Sequence, residues 1–304
     1  MKQVNVTNRT QLNFGRNIFG ISFSLPAVSF LFVFIFCSIA YCLFMSFYDW
    51  SLFDLGAEKT FTGFSNYLQM MNDEVFGYAL KNTFIITGSC LLVETLLGFF
   101  IALVLWKIRR PLRIVQAIIL LPMITSPVIV GLIWRYIYDP QYGILNWFLQ
   151  NIGLSTYAWL ADEKTALLSV IIVDIWQMTP FTSLILYASM MGISEEWIEA
   201  AQVDGARFWT IVKAIIIPSV IPMLFFILLM RLMDLLKIFD TIYVLTRGGP
   251  KYATETLAMY TYKAGFSQYR MGYAMALSIV SLLLILLVAY LVQILRKNYL
   301  KRLD

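Results

Sequence analysis

Residues 271–295 read MGYAMALSIVSLLLILLVAYLVQIL, a run of 25 residues that contains no charged side chain. The hydrocarbon core of a bilayer is about 30 Å thick, and an α-helix crosses it with about 20 consecutive apolar residues. This run therefore predicts a membrane-spanning helix.

Five more apolar runs of similar length precede this one. Lipid offers no hydrogen-bond partners for exposed backbone groups, and these runs lack the short alternating pattern of barrel strands. We therefore predict an all-α membrane protein with six transmembrane helices. The predicted spans are residues 18–47, 83–106, 114–137, 165–192, 214–236 and 271–295.

Composition supports a membrane protein and excludes several classes of site. Hydrophobic residues make up 60% of the chain and charged residues 13%, against roughly 45–50% and 25% in soluble proteins. The sequence contains no histidine, which removes the commonest general base and imidazole metal ligands. The three cysteines, Cys37, Cys42 and Cys90, lie inside apolar runs, which argues against a disulfide framework or a zinc site.

The positions of the basic residues predict the orientation in the membrane. Lysine and arginine are enriched in cytoplasmic segments, and here they concentrate at residues 107–113 and 296–302. Their placement beside apolar runs, despite a net charge of +5, does not suggest nucleic-acid binding. With six spans, both termini are predicted to be cytoplasmic. The inner segments are then 107–113 and 193–213, and the outer ones are 49–81, 138–164 and 237–270.

Ionisable and proline residues interrupt the predicted spans. A charge at the bilayer centre costs about 3 kcal/mol or more, so it normally faces a cavity or a partner. Arg231 and Asp234 are three residues apart and share a helix face, so they either pair with each other or serve a ligand. The prolines suit a moving or cavity-lining helix, although proline is also common in membrane helices. The four charges are Glu94, Asp174, Arg231 and Asp234, and the six prolines are Pro26, Pro122, Pro127, Pro180, Pro218 and Pro222.

Residues 174–181, DIWQMTPF, combine hydrogen-bonding groups, aromatic rings and a proline within two helical turns. Such a combination suits a polyhydroxylated ligand, because flat rings contact its C–H faces while polar side chains bind its hydroxyls. Packing in the bundle is the alternative for Trp176 and Phe181. It does not explain Asp174.

Residues 193–218, ISEEWIEAAQVDGARFWTIVKAIIIP, carry the strongest functional signal. Ser194 is expected to cap a short helix, and the glutamates that follow it favour the helix's positive end. Gly205 is expected to end the helix. The small side chains of Ala200, Ala201 and Ala206 leave a slim element that fits a groove on a partner.

The pattern of Glu199-Ala200-Ala201, Asp204-Gly205-Ala206 and Pro218 resembles the EAA loop of ABC importer permeases, although Ile217 stands where leucine is usual. Further segments resemble the carbohydrate-importer branch of that family. They are FTGFSNY at 61–67, LKNT at 80–83, Phe239-Asp240, and LTRGGP at 245–250 followed by Thr254.

The resemblance implies a type I ABC importer permease bundle in the bacterial cytoplasmic membrane, formed by one domain over residues 1–304 with a core at about 80–295. It also implies the partners: a second homologous permease chain, an extracytoplasmic solute-binding protein, and two cytoplasmic ATP-binding subunits that hold ATP and Mg²⁺. The chain itself is then a non-catalytic subunit without a cofactor. The ATPase-coupling residues implied within 193–218 are Glu199, Ala200, Ala201, Asp204, Gly205 and Ala206.

The cargo implied is a sugar or oligosaccharide. Arg231, Leu235 and Ile238 depart from the polar residues of the best-known maltose-type permeases, so maltose specificity does not transfer. A non-sugar solute such as a glycerol-phosphate compound is an alternative. The substrate-pathway residues implied by the resemblance are Asp174, Trp176, Gln177, Met178, Phe181, Arg231, Leu235 and Ile238.

Two other classes of protein compete with this interpretation. In an ion-coupled secondary transporter, Glu94 and Asp174 would carry protons or cations. In a membrane enzyme, Asp174 and Asp234 would act as acid and base. Neither accounts for residues 193–218, and the sequence has no phosphate-binding loop of its own because residues 248–251 lack the required spacing.

Overall fold

The computed structural model describes residues 7–52, 59–108 and 113–301, and the side chains of these residues except 7–23, 113 and 300. Four basic residues that contribute to the predicted orientation, Lys2, Arg109, Arg110 and Arg302, lie outside this part of the chain.

The described chain is almost entirely helical, with one two-stranded antiparallel pair. Two π-helical turns, here called π1 and π2, each continue a preceding helix. In chain order the elements are α1 Thr7–Met45, β1 Tyr48–Asp49, β2 Thr60–Phe61, α2 Ser65–Met71, α3 Glu74–Ile108, α4 Arg113–Ile124, α5 Pro127–Ile137, α6 Ile144–Asn151, α7 Glu163–Met191, α8 Glu195–Val203, α9 Phe208–Ile211, π1 Val212–Ile216, α10 Ile217–Leu235, α11 Asp240–Leu245, α12 Leu257–Tyr262, π2 Lys263–Ser267 and α13 Met271–Leu300.

Five of the six predicted spans are helices long and apolar enough to cross a membrane. They correspond to α1, α3, α7, the continuous segment Phe208–Leu235, and α13. Helix α3 begins at Glu74, nine residues before the predicted start. The prediction began later because Glu74, Lys81 and Asn82 interrupt the apolar residues of the first turns.

The third predicted span, residues 114–137, is not one straight helix. It is broken into α4 and α5, whose axes differ by 94°. Pro127 disfavours the helical conformation at the residue before it, and Ser126 is accordingly non-helical, with φ −55° and ψ 137°. Helix α4 therefore ends at Ile124 and a new helix begins at Pro127, which counts as a sixth span only if the pair is taken together.

Helix α7 is the centre of the bundle and packs on α3, α4, α5, α10 and α11. Its closest neighbour is α3, and the two helices meet at Gly98, where a Cβ atom would lie 2.5 Å from Thr182 Cγ2 and 3.1 Å from the Ser183 nitrogen. Small residues allow such close approach between membrane helices. Helix α1, by contrast, packs mainly on α13, and Phe30, Phe32 and most other apolar side chains at residues 24–44 are exposed.

The segments that resemble the carbohydrate-importer branch are joined by hydrogen bonds on the predicted outer face. Asn82 donates hydrogen bonds to the carbonyls of Tyr252 (2.8 Å) and Glu255 (3.0 Å). The Thr83 hydroxyl accepts from the Leu257 nitrogen at 3.0 Å. Because Asn82 and Thr83 lie on α3, they fix the loop between α11 and α12 to the bundle.

Polar groups in these outer segments also form hydrogen bonds and ion pairs with one another. Burial raises the pKa of the Asp73 carboxyl, but the hydroxyls of Tyr260 and Tyr273 donate to it and bring its pKa below the ordinary value. Burial raises the pKa of Glu255 against the opposing effect of its Lys263 partner. The loops are therefore tied to α12, π2 and α13 by charge-assisted contacts.

The contact at Gly98 predicts opposite effects for two matched substitutions on α3. Gly98→Ala should destabilise the protein by about 1–3 kcal/mol, because the added methyl group overlaps Thr182. Gly88→Ala should leave it unchanged or stabilise it by about 0.5–1 kcal/mol, because nothing lies within 4 Å of the new Cβ and alanine favours helix. Thermal unfolding in detergent measures both. Equal melting temperatures for the two variants would contradict the packing.

Candidate functional site

Three charged side chains from three helices meet inside the bundle. Arg231 of α10 donates from Nε to Glu94 Oε2 at 2.8 Å and from Nη2 to Glu94 Oε1 at 2.9 Å. Its Nη2 also donates to Asp174 Oδ2 at 2.7 Å. The residues are 3%, 1% and 6% exposed for Arg231, Glu94 and Asp174. We call Glu94, Asp174 and Arg231 the ion triad.

The geometry of the ion triad makes its burial tolerable. An unpaired charge in a low-dielectric interior is costly, whereas a two-pronged contact between guanidinium and carboxylate satisfies both groups. The triad therefore fixes α10 against both α3 and α7. Glu94 was predicted from the sequence as a charge within a span and as an ion carrier in the secondary-transporter alternative, but not as a partner of Arg231; it is part of the site.

Arg231 does not pair with Asp234, which was one of the two alternatives left open by the sequence. Asp234 lies on the exposed side of α10 and contacts Lys237 at 3.2 Å. Because Glu94 is 137 positions away in the chain, helical spacing alone gives no indication of the pair that forms.

The predicted substrate segment of α7 is divided between two faces of the helix. Asp174 and Gln177 are buried, whereas Trp176 is 42% exposed and meets the edge of Trp134 at a ring distance of 5.7 Å. This division follows from helix geometry, since residues two apart point about 200° away from each other. Gln177 donates from Nε2 to the Thr125 carbonyl at 3.1 Å and so satisfies a backbone group at the break between α4 and α5.

The other predicted pathway residues also lie in different surroundings. Leu235 and Ile238 pack in the apolar cluster that contains Tyr138 and Ile242. Phe181 packs in a second cluster, near residues 193–218, which we call the predicted coupling loop. Met178 is half-buried. The structure therefore does not bring the eight predicted residues onto one surface of this chain.

The predicted coupling loop forms the expected short helix, α8, from Glu195 to Val203. Ser194 occupies the N-cap position as predicted, but its side chain makes no capping hydrogen bond. Gly205 has φ +78° and open space around it, so the backbone conformation, and not crowding, favours glycine here.

The side chains of the coupling loop divide into an exposed set and an anchoring set. Ala201 and Ala206 are half-buried against the chain's own apolar cluster, together with Ile198, which is 4% exposed. Sequence reasoning missed Ile198, the apolar residue within the run of glutamates that holds α8 on the bundle. The predicted residues that remain exposed are Glu199, Ala200, Asp204 and Gly205.

Helix α8 leads directly into the fifth long helix. Phe208 begins α9 and lies under the Lys107 ammonium, which is 5.1 Å from the ring centre. From there α9, π1 and α10 form one continuous helical segment to Leu235. The exposed loop and the ion triad are thus connected by a single helical element.

Comparison with known proteins identifies this arrangement. Residues 94–301 match the family described as the binding-protein-dependent transport system inner membrane component. The chain belongs to this family. The matched residues begin at Glu94 and include the whole coupling loop, so the resemblance noted from the EAA pattern is confirmed.

Relatives match over most of the chain. The probable ABC transporter permease protein YurN of Bacillus subtilis (strain 168) is 35% identical over 268 residues, which cover 87% of this chain and 91% of YurN. The trehalose/maltose transport system permease protein MalF of Thermococcus litoralis is 34% identical over 232 residues, 75% of this chain and 77% of MalF.

A solved structure confirms the fold. A chain of the bacterial alginate ABC transporter, determined in complex with an alginate pentasaccharide-bound periplasmic protein, superposes with a TM-score of 0.77. The match covers 93% of this chain and 96% of that chain at 26% identity. The predicted type I ABC importer permease fold and the predicted multi-pass membrane location are confirmed, while the orientation of the termini stays a prediction.

The ion triad predicts a large effect for a substitution at its centre. Arg231→Gln should destabilise the protein by about 3–5 kcal/mol, because it leaves two buried carboxylates without a cation. Lys237→Gln, a matched change in an exposed pair only six residues along the chain, should have little effect. Thermal unfolding of both variants in detergent is the measurement. A small loss at Arg231, similar to that at Lys237, would contradict the role given to the triad.

Proposed function

We propose that this chain is the membrane-spanning permease subunit of an ATP-driven importer that translocates a sugar or oligosaccharide delivered by an extracytoplasmic solute-binding protein. The observation that carries the proposal is the family match over residues 94–301. The saccharides for which MalF and the alginate transporter are named support a saccharide cargo. The chain itself is a non-catalytic subunit, and a partner binds ATP and Mg²⁺.

The proposed site of ATPase coupling is the exposed face of α8 and the turn after it. Glu199, Ala200, Asp204 and Gly205 face away from the bundle and enter a groove on one of two cytoplasmic ATP-binding subunits. Ala201 and Ala206 serve the same coupling from the opposite face, by allowing α8 to lie close on the apolar cluster around Ile198. This placement fits cytoplasmic termini, and a second homologous permease completes the assembly.

The proposed cargo pathway runs along the part of α7 and α10 that surrounds the ion triad. Trp176, exposed beside Trp134, offers an aromatic surface to a sugar ring. Met178, Phe181 and Ile238, each partly exposed, add apolar contacts. Asp174, Gln177, Arg231 and Leu235 are buried and shape the pathway by fixing the helices behind it.

Uptake into reconstituted vesicles tests the proposal against the ion-coupled alternative. We expect sugar uptake to need ATP inside, the ATPase subunits and the binding protein. Uptake by the chain without any ATPase subunit, driven only by an ion gradient, would contradict the importer proposal.

Gly205→Asp should abolish ATP-dependent uptake while membrane insertion and abundance remain normal. The substitution forces an Asp into a left-handed conformation and places a carboxylate on the face that meets the ATPase. Gly153→Asp is the matched control, because Gly153 also has a positive φ and open surroundings but lies far from α8 in the chain. Normal uptake by Gly205→Asp would remove this turn from the coupling site.

Trp176→Ala should reduce cargo uptake about ten-fold or more while the ATPase subunits still co-purify with the permease. The expected loss corresponds to removal of one aromatic contact with a sugar ring. Trp147→Ala, an exposed tryptophan of α6, is the control. Unchanged uptake of every sugar tested would remove Trp176 from the pathway.

A further inference from the structure

The ion triad bears on the charge of the cargo. We infer that Glu94 is a specificity-determining residue: together with Asp174 it neutralises Arg231, so that the pathway selects uncharged sugars over anionic ones. The inference deepens the proposed function and rests on it, because it takes the cargo to be a sugar that passes near the triad.

The contacts of Arg231 exclude it as a receptor for an anionic cargo in this conformation. Arginine binds carboxylates and phosphates by directing two parallel N–H groups at them. Here Nε and Nη2 are already directed at Glu94 and Asp174, at distances of 2.7 to 2.9 Å. Only 3% of the residue is exposed, so a cargo group does not reach these donors.

The charge balance of the triad also disfavours an anionic cargo. Two carboxylates face one guanidinium, and the Cys90 thiol, whose sulfur lies within 4.8 Å of both carboxylates, adds no positive charge. Asp234 at the end of α10 and Lys237 in the turn that follows form a separate exposed pair. The triad and this pair together therefore offer no net positive charge to attract an anion.

The shared fold does not determine whether the cargo is neutral or anionic. The structural neighbour imports alginate, an acidic polysaccharide, so the same helical bundle serves an anionic cargo elsewhere. Among the eight predicted pathway residues Arg231 is the one basic side chain, so it alone suggests a phosphorylated or acidic cargo. Because Glu94 pairs with Arg231, Arg231 no longer supports an acidic or phosphorylated cargo.

The test compares uptake of neutral and anionic sugars by the complete transporter in proteoliposomes. The probes are maltose and cellobiose, and their aldonates maltobionate and cellobionate, which carry one carboxylate. The variants are Glu94→Gln and Asp174→Asn, each of which leaves Arg231 one carboxylate partner. Because the binding protein is the same in every sample, its own preference cancels when a variant's aldonate-to-neutral uptake ratio is divided by that of the wild type.

We expect the wild type to favour the neutral sugars. Glu94→Gln should raise the aldonate-to-neutral ratio about ten-fold, the effect of one unit charge at about 10 Å with an effective dielectric constant of about 20, and Asp174→Asn should change it in the same direction. Glu94→Asp should keep the wild-type ratio because it keeps the charge. Asp234→Asn, which removes a carboxylate of α10 outside the triad, should also leave the ratio unchanged.

Each contrary outcome has a distinct meaning. An assembled Glu94→Gln transporter whose aldonate-to-neutral ratio equals that of the wild type overturns the role of Glu94 while leaving the importer proposal intact. If Glu94→Gln fails to assemble, Asp174→Asn alone is expected to raise the ratio, and an unchanged ratio in it overturns the inference. Absence of uptake for all four probes and for a wider sugar panel overturns the sugar cargo itself, and the inference with it.

Discussion

The structure depends on one constraint: polar groups inside a membrane bundle must be satisfied by the chain itself, because lipid supplies no partners. The ion triad meets this constraint for three charges at once, and in doing so it ties α10 to α3 and α7. Gln177 meets it for the Thr125 carbonyl at the break between α4 and α5. The polar side chains that are costly to bury therefore help to determine which helices lie together, as do close contacts such as that at Gly98, whereas apolar character alone determines only that the helices lie in the membrane.

This division explains how much of the fold the sequence predicts. The apolar runs are a local signal, and five of them correspond to single long helices. The bend between α4 and α5 was not predicted, although Pro127 was recognised among six prolines. Pro180 and Pro222 lie inside continuous helices, so a proline alone does not specify a break. At Pro127 the break is accompanied by a contact with Gln177, which donates to the Thr125 carbonyl from 52 positions away, and no local pattern contains such a contact.

The candidate site also has one part that local sequence signals predict and another part that depends on contacts between distant residues. Helix α8 and the turn at Gly205 follow from capping, charge and glycine signals within a dozen residues, and they form as predicted. The partners of Arg231 come from elements far away in the chain, so the sequence offered Asp234, its neighbour on the helix, when the true partners are Glu94 and Asp174. The pathway residues carried over from the family resemblance describe a stretch of α7, but helix geometry places Asp174 and Trp176 on different faces.

The coupling loop and the ion triad are linked by one helical element, and this link limits how the bundle is able to move. From Phe208 to Arg231 the chain rises roughly 35 Å at 1.5 Å per residue, close to the thickness of the hydrocarbon core. Ile198 anchors α8 beside the start of this element, so displacement of α8 acts on α10 directly. Since Arg231 holds α10 to α3 and α7, the three helices cannot separate without exposing buried charge, which is costly. We therefore expect displacement of α8 to move the three helices together, as a rigid body, and we expect any bending within the element at π1, where the hydrogen-bond pattern departs from that of an α-helix.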